Sequence, residues 1–270
     1  MASTDGLLDK ILVMKIKILS YNIHKGFDSF GLKFTLHEIK EAIQNTQADI
    51  AILQEVVGEN KKFFKNIKRW PKEPQFEFLA DSIWPHFAYG KNAVYDERHH
   101  GNAILSKFPI LKKENLNIST NPLEQRGLLH CELEISDDIT NPDQFRLHIF
   151  NVHLDLWQGG RKQQMAKIIQ RAQEQVPHGC PFILAGDFND WTETLTPYFI
   201  EHLGVYESHL ESFSYHAKSF PSYLPLISLD RVYFRKLRLL SCTTLSNQPW
   251  SQLSDHLPLL VEVEIETNPS

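Results

Sequence analysis

Short apolar runs in this chain end, one after another, on a carboxylate, an amide or an imidazole. The first closes in LSYNIHKG and the second in AILQEV. Later ones close in IFNVHLD and FILAGDFND, and LISLDRVYF and QLSDHLPLL repeat the pattern. Asn and Asp are ordinary turn formers at a single strand end. Repeated at strand after strand, the pattern asks for a chemical explanation.

The runs themselves read as strands, over 16–23, 49–57, 87–90, 102–106, 127–135, 146–154, 182–187, 230–234 and 257–265. Helical spacing appears at Leu36, Ile39 and Ile43, over 63–70 before Pro71, and most clearly over 161–176. In that last stretch Met165, Ile168, Ile169, Ala172 and Val176 line one face. Many strands and few helices predict two sheets packed face to face with helices outside. Functional residues then belong at strand ends and in the loops that follow.

Composition sets the limits. Hydrophobic residues make up 42% and charged residues 23%, enough for a real core. A net charge of −5 gives no global basic surface for long duplex nucleic acid, although a local basic groove is compatible with it. Cys131, Cys180 and Cys242 are sparse and unpaired in spacing, which fits buried thiols better than disulfides or structural zinc. No secretory leader and no apolar run of about 18 residues is visible, so a reduced, cytoplasmic protein is expected. Gly-x-Ser-x-Gly, Gly-Lys-Ser/Thr and His-Glu-x-x-His motifs are absent, which sets aside serine-triad, P-loop and zinc-protease chemistry.

The residues at the strand ends match the needs of phosphate-ester hydrolysis. Charge on phosphorus oxygens calls for a hard divalent cation, which takes oxygen ligands and few carboxylates. Glu55 closes an otherwise apolar strand and is the first choice for that carboxylate, with Gln54 expected on the opposite face. Asp187 and Asn189, two apart, project together and suit water activation and phosphate positioning. Gly186 lets backbone approach a ligand closely. His153 and His256 are the candidate imidazoles, with Asp230 orienting His256 and Asp255 reaching toward the metal. His148, an odd number of residues from His153, faces the other way. His99 and His100 fit a wet loop somewhat better than the site.

The order LSYN, LQE, GNAILS, HLD, GDFN, LDR and SDH resembles the endonuclease/exonuclease/phosphatase superfamily, the DNase I-like proteins, over about 15–266. The resemblance implies a four-layered α/β/β/α sandwich and Mg²⁺- or Mn²⁺-dependent attack of water on phosphorus. It makes residues 1–14 an N-terminal extension ahead of a single catalytic domain over 15–270. It places Asn22 and Glu55 on the metal side with Asp255 near them, and Asp187 and Asn189 at the water. Asp230 and His256 are the Asp–His couple, and His153 the second histidine. Asn102 and Arg126 are candidate phosphate contacts. Glu97 is nearest to where DNase I-like enzymes carry the acid supporting the second histidine, though its loop differs.

The expected activity is that of a phosphodiesterase or nuclease. The alternatives are a phosphomonoesterase or phospholipase C-like enzyme on small or lipid phosphates, and an inactive binding module with the same fold. Trp157, Trp191, Phe213, Tyr215, Phe220 and Tyr223 could stack bases, touch lipid or pack the core. No obligate protein partner is expected.

Overall fold

Ile16 and Ile18 point to one side of the first strand, Leu19 and Tyr21 to the other, and all four are buried. Burial on both faces is what a strand meets inside a layered sandwich. The structure, a computed structural model, describes residues 12–121, 124–135 and 146–267. Residues 1–11 of the expected extension lie outside the described residues, and Leu12 already begins a strand.

The strands among the described residues are β1 (Leu12–Asn22), β2 (Ile50–Asn60), β3 (His86–Tyr95), β4 (Arg98–Ser106), β5 (Ile110–Asn117) and β6 (Gly127–Glu134). They continue with β7 (Arg146–His153), β8 (Phe182–Asp187), β9 (Tyr206–Glu207), β10 (Asp230–Arg235), β11 (Arg238–Thr244) and β12 (Leu259–Thr267). The helices are α1 (Leu36–Asn45), α2 (Lys61–Asn66), α3 (Gln75–Ala80), α4 (Gln158–Gln175), α5 (Thr196–Leu203) and α6 (Ser208–Phe213).

One sheet has the order β11-β12-β1-β2-β4-β3 and the other β5-β6-β7-β8-β10-β9. Between them Ile16, Ile18, Ile50, Ile52, Ile149, Ile183 and Val232 form the central core. Outside the first sheet, α1 and α3 cover Leu19, Ala51 and Leu53; outside the second, α4 and α5 cover Phe150, Leu184 and Tyr233. The two facing sheets with helices outside that the strand pattern predicts are observed, in the four-layered order that the resemblance implies.

Strand direction collects the chemistry. β1 runs parallel to β2, and β7 to β8, so Asn22, Glu55, His153 and Asp187 all arrive at one edge. β4, β6, β10 and β12 are antiparallel to these neighbours and start from the same edge. Asn102, Arg126, Asp230 and His256 lie at or near those starts. Directly beneath, Gln54 Nε2 donates to Asn151 Oδ1 at 2.9 Å, and Asn151 Nδ2 donates to Leu53 and Ala103 carbonyls, each at 2.9 Å. These buried amides join the two sheets under the site.

Local departures have local causes. The helix expected over 63–70 stops at Asn66, because Trp70 turns to stack on Phe34 with ring centres 5.0 Å apart and Arg69 takes φ 71°. β3 and β4 extend to a hairpin at 95–98, so His99 and His100 are strand residues and not a wet loop. Gly186 has φ 139°, and a Cβ there would lie 1.9 Å from the Val152 carbonyl oxygen. Its bareness serves the close packing of β7 against β8 rather than a ligand. No helix among the described residues is long and apolar enough to cross a membrane.

Candidate active site

Asp187 Oδ2 is the centre of the edge. Asn22 Nδ2 donates to it at 3.0 Å, His153 Nε2 lies 3.5 Å away and His256 Nε2 3.6 Å. The partner oxygen, Oδ1, accepts the Asn189 backbone N–H at 3.0 Å. Asn189 holds φ 49°, and its side-chain amide donates to the Leu154 carbonyl at 2.9 Å. Burial raises the Asp187 pKa above the carboxylate range, Asp230 adds to this, and His256 opposes it.

Asp230 stands opposite Asp187 in the β8–β10 register. Its Oδ2 meets His256 Nδ1 at 2.8 Å and accepts from Ser219 Oγ at 2.5 Å. Burial alone would depress the His256 pKa, but the carboxylates of Asp230 and Asp187 reverse this and push it up. The Phe220 ring lies 5.1 Å from the His256 ring and walls that side.

The second half of the site forms at a bulge. Between Leu53 and Val56, two residues of β2 oppose one of β4, and Glu55 takes φ 56°. Regular alternation therefore fails at Gln54 and Glu55, so the opposite-face placement expected for Gln54 has no regular strand to rest on. Gln54 is spent on the inter-sheet amides, while Glu55 lines a small cavity with His100, Asn102, Arg126 and His153. Lys25 Nζ donates to Glu55 Oε2 at 2.5 Å. Burial would raise the Glu55 pKa, but Lys25 and His153 hold it far below the usual range. His24, Lys25 and Gly26 all have positive φ, a strained turn that carries the Lys25 ammonium back onto Glu55.

Other expected residues divide. Asn102 lines the cavity, but its amide donates to the carbonyls of Gly127 and Asn151, each at 3.2 Å, leaving no free N–H for phosphate. Arg126 lines it too; its Nη2 donates to Glu124 at 2.9 Å, and its buried Nε has no hydrogen-bond partner. His153 is buried, and desolvation followed by Arg126 holds its pKa well below the ordinary imidazole value. Glu97 does not support it: that residue is exposed in the hairpin turn, and its carbonyl accepts from Lys61 N. Asp255 is half-buried, 3.7 Å from His24 Nδ1, and its charge adds to those that raise the His256 pKa. His148 faces away, 3.1 Å from His130. His100, for which the sequence somewhat favours a wet loop over the site, lines the cavity, whereas Lys25 and Ser219 carried no signal in the sequence, because only the folding of distant segments brings them here.

The donor set fits a hard divalent ion. Asp187, Asp230 and His256 bring ligand-capable atoms within 4.8 Å of one another, but with His256 charged the trio offers a cation its carboxylate oxygens alone, among them Asp230 Oδ1, buried with no hydrogen-bond partner. Glu55 and Asp255 add carboxylates on the same edge, and no thiol is near.

The Endonuclease/Exonuclease/phosphatase family pattern matches residues 19–256. An uncharacterised Escherichia coli protein, YbhP, is 38% identical over 257 residues, covering 95% of this chain and 99% of its own length. An endonuclease/exonuclease/phosphatase from Beutenbergia cavernae superposes with a TM-score of 0.72 at 16% identity, over 94% of this chain and 72% of that one. A Bacteroides thetaiotaomicron mannosyl-6-phosphatase gives a TM-score of 0.67 at 18% identity, over 92% of this chain and 99% of that one.

Proposed function

The chain belongs to the endonuclease/exonuclease/phosphatase family, a family of phosphoester hydrolases, and from that premise we propose that it is a Mg²⁺- or Mn²⁺-dependent phosphodiesterase. The observation that carries the reading is Asp187 Oδ2, which two imidazoles and one amide approach within 3.6 Å.

Asp187, raised by burial toward neutral pH, takes a proton from water. Asn189, locked to Asp187 and to Leu154, orients that water. The new bond forms from the water oxygen to phosphorus as the bond to the leaving alcohol breaks. His256, its tautomer and charge set by Asp230, lies on the water side and holds a non-bridging oxygen. His153, which burial keeps neutral, offers a hydrogen bond beside it. In this reading the Asp187–Asp230–His256 cluster, which brings ligand-capable atoms together, is left to water and phosphate, while Glu55, with Asn22 and Asp255 on the same edge, would hold the metal, whose charge would offset that of the phosphate and the leaving oxygen.

A phosphomonoesterase is the second reading. Arg126, with an unpartnered Nε in the Glu55 cavity, suits a dianionic phosphate, and the likeness to the mannosyl-6-phosphatase is compatible with it. A panel of plasmid DNA, short RNA, a generic diester, a generic monoester and phospholipids separates the two, run with metal and with chelator. Activity that persists in chelator, or in both Asp187→Asn and His256→Ala, overturns the mechanism.

A further inference from the structure

The loops around the site carry large apolar side chains pointed at solvent. Leu32 is 84% exposed, Trp157 75% and Phe30 68%. Leu32 and Phe30 follow Asn22 in the chain, and Trp157 follows His153. Tyr223, Leu224 and Leu226, all more than half exposed, precede Asp230. Single exposed apolar residues are ordinary, but a ring of them on the loops of one functional edge marks a docking surface.

The ring is built, not frayed. Asp28 Oδ1 accepts the backbone N–H of Leu32 at 2.8 Å and that of Phe30 at 3.3 Å, which fixes the loop tip. Ser29 Oγ is bonded to the Ser254 carbonyl at 2.8 Å and to Ser222 Oγ at 2.6 Å, so the tip is tied to the segment bearing Asp255 and His256. Phe30 stacks on Tyr223 with ring centres 5.6 Å apart.

A basic segment adjoins it. Lys61, Lys62, Lys65, Lys68, Arg69 and Lys72 are all exposed, in a chain of net charge −5. Phe63 in that segment meets Phe27 at 5.3 Å, and Trp70 stacks on Phe34 at 5.0 Å, joining it to the same 27–34 loop. Aliphatic tips beside clustered lysines complement an anionic bilayer: the tips enter the headgroup region and the lysines meet lipid phosphates. A nucleic-acid surface would present free stacking rings and arginines; here three leucines share the rim with three rings, two of which, Phe30 and Tyr223, are stacked on each other, and one arginine serves the basic segment.

We propose that the active-site edge docks on an anionic membrane surface through the 27–34 and 220–227 loops, Trp157 and the 61–72 segment. This sets phosphodiester headgroups of the lipids against the site. The substrate part rests on the phosphodiesterase reading; the docking part does not.

The test uses the full chain and vesicles of phosphatidylcholine alone or of equimolar phosphatidylcholine and phosphatidylglycerol. Cosedimentation is expected with the second only, weakening as salt is raised. Two variants are compared, Leu32→Asp/Leu224→Asp/Leu226→Asp and Lys61→Glu/Lys62→Glu/Lys65→Glu, with near-native circular dichroism as the check on folding. Each is expected to lose vesicle binding by about tenfold or more while hydrolysing a soluble diester within about twofold of the parent. Release of headgroup from vesicles should fall with binding. A chain that stays in the supernatant, or binds both vesicles equally, overturns the proposal. So does tight oligonucleotide binding without vesicle binding. Docking without hydrolysis of any diester refutes the phosphodiesterase reading and leaves the docking intact.

Discussion

Asp187 and Asp230 are register partners across β8 and β10, and His256 reaches both, with Nδ1 2.8 Å from Asp230 and Nε2 3.6 Å from Asp187. Two buried carboxylates so placed would repel each other. The imidazolium between them is what lets both stay in one site.

The role of Asp230 can be isolated. Asp230→Asn keeps the shape but presents an amide to His256 Nδ1, which no longer favours the charged, correctly oriented ring. Turnover should fall about a thousandfold or more, with KM for a soluble diester little changed. A loss under about tenfold in steady-state kinetics would show that the couple is structural.

Metal dependence has two opposed handles. Chelator should abolish activity and added Mg²⁺ restore it. Glu55→Gln should raise the metal concentration for half-maximal rate by about 10- to 100-fold. Lys25→Met should lower it, since the Lys25 ammonium now occupies the Glu55 carboxylate. If both variants shift the metal titration in the same direction, Lys25 does not compete for Glu55.

Gly186→Ala should destabilise the fold by about 3 kcal/mol, from a positive φ and a Cβ driven into the Val152 carbonyl. Urea denaturation measures this; a midpoint equal to the parent's would contradict the packing described for β7 and β8.

Acid should unfold the protein through histidines that are buried neutral. Burial, then His148 and Arg171, depress the His130 pKa to about 3. The unfolded chain, with an ordinary imidazole, binds a proton that the fold does not once pH drops below about 6.5. The stabilisation is therefore complete above that value and is lost progressively as pH falls toward about 3, by up to about 5 kcal/mol. In His130→Gln the denaturation midpoint should depend less steeply on pH between about 4 and 6.

Much of this was legible in the strand endings. Asp187, Asn189, Asp230 and His256 each stop an apolar run, and a run that stops at a buried polar group announces its edge. Glu55 was readable for the same reason. The fate of Gln54 was not, because a bulge is set by the pairing of β2 with β4 and not by either sequence alone. Lys25 was hidden for a related reason: its contact with Glu55 depends on consecutive left-handed residues that no periodicity reveals. The bonding of the Asn102 amide to the other sheet was not legible either, because nothing local shows where its donors go.

The first sheet is assembled from both ends of the chain, β1 to β4 and then β11 and β12, while the second is built from the continuous middle. During synthesis the middle strands can pair first, yet β1 has no neighbour on its β12 side until β12 itself has left the ribosome. Asp255 and His256 emerge only just ahead of that strand. A nascent chain, or one terminated before His256, thus holds Asp187 without the imidazole that balances it, so the site is completed in one step after the whole second sheet has emerged rather than growing along with the polypeptide.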